Sequence, residues 1–200
     1  NWKILDNPKN MKRGYNINPN SKHMVEFMND DNEILLFVDG DDWLIDDTVL
    51  EKLNNYYNQH DSWMTYGGMY VYPEEQSAYP QNTPYSDNVH DNNNYRIDDW
   101  RASHLRTFKW FIYKQIRDED LRYSKTNEYY FHAEDLATSF PCLELCPKHK
   151  IGVLDFPAYA FNQTEGNRQR GIEREEQYFN IASARIDSVE TKSTLEGFYE

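Results

Sequence analysis

The sequence predicts an α/β fold, and three observations support it. Residues 34–38 (ILLFV) form a continuous apolar run of strand length, which stops abruptly at Asp39-Gly40-Asp41-Asp42. Immediately afterwards Val49, Leu50, Leu53 and Tyr57 recur at helical spacing. A second strand-like run, residues 63–72, then follows, so strands and helices alternate along the chain.

Taken in order, residues 2–5 (WKIL) are a short strand candidate, followed by a polar stretch over residues 6–20. Ser21 is placed to cap a short helix reaching Phe27, with Met24, Phe27 and Met28 on its apolar side. Residues 29–32 read as a turn. The run 34–38 suits a central strand covered on both faces, because it does not alternate. Asp46 or Asp47 caps the next helix, which extends to about Gln59. Residues 63–72 form a strand kinked at Gly67-Gly68. Residues 73–95, rich in Pro, Asn, Asp, Ser and Tyr, read as a long surface loop.

A helix is expected over 100–117, since Leu105, Phe108, Ile112 and Ile116 fall at helical spacing. A further loop ends near Phe131. Residues 134–145 form another helix, which Pro141 should break or bend. Residues 151–162 hold two short strands separated by Pro157. Arg168 and Arg170 belong to a polar loop, and residues 172–189 to a charged terminal helix. No repeat or linker divides the chain, so residues 1–200 are read as one domain.

Composition narrows the partners. A formal charge of -13 repels a phosphate backbone, which argues against nucleic acid. A nucleotide can still bind if a metal ion neutralises its diphosphate. No apolar run reaches membrane-spanning length and no signal peptide is visible, so no transmembrane segment is expected. The 16 tyrosines suit packed sheets and also sugar-stacking surfaces, core packing being the better account of most of them. Cys142 and Cys146, four apart, are poorly placed for a disulfide and too few for zinc. They read as reduced and partly buried, which points to a cytoplasmic location. The chain opens on Asn1 inside a strand-like segment, so an N-terminal piece is expected to precede it.

The cluster Asp39-Gly40-Asp41-Asp42 is the main chemical signal. In open α/β sheets ligands bind beyond the carboxyl ends of strands, where this cluster sits. Carboxylates are hard oxygen ligands that suit Mg²⁺ or Mn²⁺, usually completed by substrate phosphates. Gly40 permits a tight turn and close ligand approach. The plain alternative is a turn with capping aspartates, but three carboxylates in four positions repel one another and need a reason. An EF-hand loop fails, because Trp43 stands at its third ligand position. A phosphatase of the haloacid dehalogenase type, with Asp39 as nucleophile, also places Asp-x-Asp after an apolar strand. Trp43 stands where that family has Thr or Val.

Four segments resemble glycosyltransferase family 2. Residues 34–44 (ILLFVDGDDWL) are similar to its Asp-x-Asp segment, and residues 7–16 (NPKNMKRGYN) are loosely similar to an upstream Asn/Gly stretch. Residues 100–116 (WRASHLRTFKWFIYKQI) resemble a stretch of a bacterial and large-virus subgroup. Residues 131–145 (FHAEDLATSFPCLEL) resemble the region of the family's Glu-Asp pair.

The resemblance implies a GT-A-like, Rossmann-related mixed sheet flanked by helices. It implies metal-dependent, inverting transfer from a nucleotide-sugar, UDP-linked by expectation, to a glycan or glycoprotein hydroxyl. Residues 1–73 would bind nucleotide and metal (Mn²⁺ or Mg²⁺), 74–171 would handle acceptor and catalysis, and 172–200 would hold the C-terminal helix. The family's first strand and helix, which hold uracil, have no counterpart here. A non-catalytic glycan-binding remnant therefore remains an alternative.

Carried over by residue, Asp41 would ligate the metal, and Asp39 would assist it or contact the ribose. Gly40 would let the donor approach, and Asp42 would cap or orient. Asp135 would be the general base, since a sugar hydroxyl is a poor nucleophile until its proton is taken. Trp43 would line the sugar site, although core packing suits it as well. His104 would touch acceptor or diphosphate, a satisfied core or surface histidine being the alternative. Arg101 and Arg106 do not share a helix face, so at most one of them would reach a phosphate. His132 is a candidate third ligand, and Arg168 and Arg170 could close over the diphosphate, although a solvated loop suits them better.

Overall fold

The computed structural model describes residues 13–73, 82–130 and 133–162. The expected strand at 2–5, most of the 7–16 stretch, His132, Arg168, Arg170 and the helix at 172–189 lie outside the described residues. The described chain is mixed α/β. Two short helices, α1 (Arg13–Asn16) and α2 (Lys22–Phe27), precede strand β1 (Ile34–Leu36). Ser21 caps α2 as expected, its side chain accepting from the Met24 N–H. There follow β2 (Trp43–Leu44), α3 (Val49–His60), β3 (Met64–Tyr72), α4 (Asp87–Asp91), β4 (Thr107–Lys109), α5 (Trp110–Tyr113), α6 (Glu134–Leu145) and β5 (Ile151–Asn162).

The five strands form one curled sheet in the order β1-β4-β3-β5-β2. β3 and β5 run parallel, and every other pairing is antiparallel. One face carries α3, with Val49, Leu53, Tyr57, Met69, Leu105, Leu154 and Tyr159 buried together. The other carries α5 and α6, with Trp63, Met64, Tyr66, Phe108, Phe111, Phe140 and Leu143 at its centre. Among the described residues no helix is long and apolar enough to cross a membrane.

Several expectations about elements are corrected. The run 34–38 yields only a three-residue strand, and β1 is outermost among the described strands rather than central. The unbroken apolarity reports cover on both faces: Leu35 and Phe37 meet the α6-side core, while Ile34 and Leu36 meet the α3 side. The helix expected over 100–117 is instead an irregular segment, then β4, then the single turn of α5. Its helically spaced apolar residues do not share a face, because Leu105 is buried on the α3 side and Phe108 on the α6 side. The region 73–95 is not all surface, for Tyr85, Val89 and Tyr95 are buried. The two strands expected at 151–162 are one strand, β5, which bulges around Pro157 without ending. α6 runs through Pro141, and its nearly continuous burial offsets a cost of about 3 kcal/mol for an interior proline. Cys142 and Cys146 are free thiols and buried.

The kink at Gly67-Gly68 is present as a register shift between β3 and β5. Gly68 has φ +70°, and a Cβ there would lie 2.5 Å from the Phe156 carbonyl oxygen. Gly68→Ala should therefore lower stability by at least about 2 kcal/mol, combining a left-handed backbone penalty with a backbone clash. Gly40→Ala is the control: an added Cβ meets nothing within 4 Å, so stability should be unchanged. Urea midpoints measure both, and a Gly68→Ala midpoint equal to the parent's would contradict the argument.

Candidate functional site

The carboxylate cluster forms a turn between β1 and β2, closed by the Asp42 N–H donating to the Asp39 carbonyl at 3.1 Å. Gly40 sits in this turn without positive φ, and the open space beside its Cα suits close ligand approach. Asp39 is half-buried, whereas Gly40 and Asp41 are exposed.

Asp42 turns away from this opening and is tied to β5. Its carboxylate accepts the Tyr159 hydroxyl at 2.6 Å and the Asn162 N–H at 2.8 Å. Burial raises the Asp42 carboxyl's pKa, the two hydrogen bonds oppose that rise, and the neighbouring charges of Asp41 and Asp39 add to it. The Tyr159 hydroxyl also accepts the Asp39 N–H at 3.1 Å. Burial, and then the bond to Asp42, push that hydroxyl far above its ordinary range, so it stays protonated and donates to Asp42.

The second contribution comes from the irregular segment before β4. The β3 kink holds it: the Gly67 N–H donates to the Ser103 carbonyl at 3.2 Å, and the Leu105 N–H donates to the Gly67 carbonyl at 2.6 Å. Residues two apart on a helix point apart, but this segment is not helical and bends at His104-Leu105. Here Arg106 Nη2 reaches His104 Nε2 at 3.2 Å, a contact the expected helix would have forbidden. A guanidinium can only donate, so a hydrogen bond in this contact uses the Nε2 lone pair. The same nitrogen lies 3.9 Å from Asp39 Oδ2, which places His104 beside the turn. The His104 ring stacks on Tyr159, with centroids 4.4 Å apart and planes within 14°.

The third contribution is the start of α6. Asp135 lies in its first turn, and Arg106 Nη1 donates to Asp135 Oδ2 at 3.3 Å. These parts meet in one cleft of about 340 Å³, lined by Ile17, Phe37, Val38, Asp39, Gly40, Asp41, Arg106, Glu134, Asp135 and Thr138. Four carboxylates face a single guanidinium among these lining residues.

Of the residues singled out from sequence, Asp39, Gly40, Asp41, Arg106 and Asp135 line the cleft, and His104 adjoins it through Arg106. Asp42 and Trp43 do not line it. Trp43 is exposed on β2 and packs edge-to-face on Tyr72, 5.1 Å away. Arg101 pairs with Asp98 and Thr83, which leaves Arg106 as the one of the two that reaches the cleft. Glu134, Thr138 and Tyr159 were not assigned roles from sequence. Tyr159 has no local signal, being one tyrosine in an apolar strand.

The donor set sets limits on a metal. Among the described residues no group of three or more His, Cys, Asp or Glu is placed to hold an ion. Asp39 and Asp41 offer two hard oxygen ligands on an open turn, which fits Mg²⁺ or Mn²⁺ completed by substrate phosphate, not a preformed protein cage.

No protein-family model matches the chain. No curated protein and no solved structure matches it either.

Proposed function

We propose that this chain is a metal-dependent, inverting glycosyltransferase with a GT-A-like sheet, moving a sugar from a nucleotide-sugar, UDP-linked by resemblance, to a hydroxyl of a glycan or glycoconjugate. The observation that supports this most is the convergence of Asp39 and Asp41 with Asp135 in one cleft, from segments far apart in sequence. The resemblance assigns the same residues to the metal-diphosphate and base roles.

On this reading the acceptor hydroxyl lies beside Asp135 and the donor's diphosphate beside Asp39-Gly40-Asp41. The acceptor oxygen forms a bond to the anomeric carbon while the bond from that carbon to the diphosphate oxygen breaks. The electron pair leaves with the nucleoside diphosphate, the hydroxyl proton passes to Asp135, and the anomeric configuration inverts. A Mg²⁺ or Mn²⁺ held by Asp41 and Asp39 together with the diphosphate would supply charge stabilisation for that leaving group. Arg106 orients Asp135 through their contact and is the cleft's own positive charge.

The excess of carboxylates makes a testable demand. A bare diphosphate should be repelled, so nucleotide affinity must depend on the cation. Calorimetric titration of UDP is expected to show binding with Mn²⁺ present and at least tenfold weaker binding, or none, with chelator. Equal affinity in both conditions, or no binding with Mn²⁺, would count against the proposal. A covalent phosphoryl group on Asp39 would instead establish the phosphatase reading.

A further inference from the structure

We infer that Tyr159 is a positioning residue that holds the Asp39–Asp42 turn in its ligand-binding shape and ties it to the Arg106–Asp135 pair. The inference rests on the proposed function for its functional part only. One fully buried side chain makes three connections. Its hydroxyl accepts the Asp39 N–H at 3.1 Å and donates to Asp42 at 2.6 Å, so both ends of the turn are fixed by one oxygen. Asp42 then accepts the Asn162 N–H at 2.8 Å, which fastens the turn to the end of β5.

The ring of Tyr159 supports the stacked His104, whose Nε2 accepts from Arg106 at 3.2 Å, and Arg106 reaches Asp135 at 3.3 Å. The contacts are continuous from the turn to the start of α6. A residue that does not line the cleft thus sets the separation of groups that do.

Tyr159→Phe separates the two halves of this role, because it removes the hydroxyl and keeps the ring. Amide hydrogen exchange followed by NMR should show the Asp39 amide exchanging at least about tenfold faster in the variant, its bond to the hydroxyl being gone. The Arg106 Nε–H resonance should stay in place, because the stack survives. Calorimetry with UDP and Mn²⁺ should show about tenfold weaker binding, and turnover should show donor KM raised by a similar factor with kcat within about twofold.

Unchanged exchange at Asp39 would overturn the inference. Faster exchange with unaltered Mn²⁺-dependent UDP affinity and KM would also overturn it, since the hydroxyl would then be structural alone. If the parent binds no UDP with Mn²⁺ while the variant's Asp39 amide exchanges faster, the glycosyltransferase reading fails and the anchoring of the turn stands. His104→Gln is the second variant: its amide oxygen can still accept from Arg106, so the Arg106 Nε–H resonance should keep its place, whereas His104→Leu should shift it. A shift in His104→Gln as large as in His104→Leu would overturn the link through His104.

Discussion

Replacing Asp135 with asparagine is expected to reduce sugar transfer by about 10²–10⁴-fold while leaving Mn²⁺-dependent UDP binding unchanged. The substitution is nearly isosteric, and its amide oxygen can still accept from Arg106, which donates to Asp135 Oδ2 at 3.3 Å. What is lost is the ability to take a proton. Asp135 is only partly buried in the first turn of α6, so the fold should not suffer. Initial rates and calorimetry on the same preparation check both halves. Full transfer by the variant would show that Asp135 is not the base, and lost UDP binding would move it to the donor side. Glu134, its neighbour in the cleft, would then be the next carboxylate to examine.

The second large effect is at Asp41. Asp41→Ala should abolish metal-dependent nucleotide binding, a loss of at least about 100-fold, because only two carboxylates, Asp39 and Asp41, line the turn side of the cleft. Asp41 is exposed, so its removal should leave the unfolding midpoint unchanged. Calorimetry with UDP and Mn²⁺ measures the first, thermal unfolding the second. Retained Mn²⁺-dependent affinity would remove Asp41 from the metal role and the Asp-x-Asp resemblance with it. The contrast with Asp42 is instructive. Three acidic residues crowd one short turn, yet two face the cleft while the third is spent on Tyr159 and Asn162.

The site was partly legible before the structure. An acidic turn after a buried apolar run was plain, and so was a carboxylate at a helix start, because both are local patterns. The pairing of His104 with Arg106 was hidden by the helix expected over 100–117. Apolar spacing of three and four fits a helix, but it also fits a chain that crosses a sheet and buries successive residues on opposite faces, as Leu105 and Phe108 do. Tyr159 was hidden for a different reason. Its importance lies in three contacts to distant residues, and nothing in its own neighbourhood marks it among 16 tyrosines.

By itself the sequence determined the alternation of elements, the α3 and β3 segments, the kink at Gly67-Gly68 and the acidic turn at Asp39–Asp42. Each follows from interactions within a few residues: apolar period, missing side chain, like charges close together. Only the tertiary structure decided that β1 is outermost among the described strands and that β5 bulges without breaking. It also decided that Asp39, Asp41, Arg106 and Asp135 share one cleft. Strand order and cleft membership are set by long-range hydrogen bonding and burial between segments with no shared local pattern. The physical cause is clearest at Arg106, whose side chain reaches Asp135 from a segment that backbone hydrogen bonds to Gly67 hold beside β3.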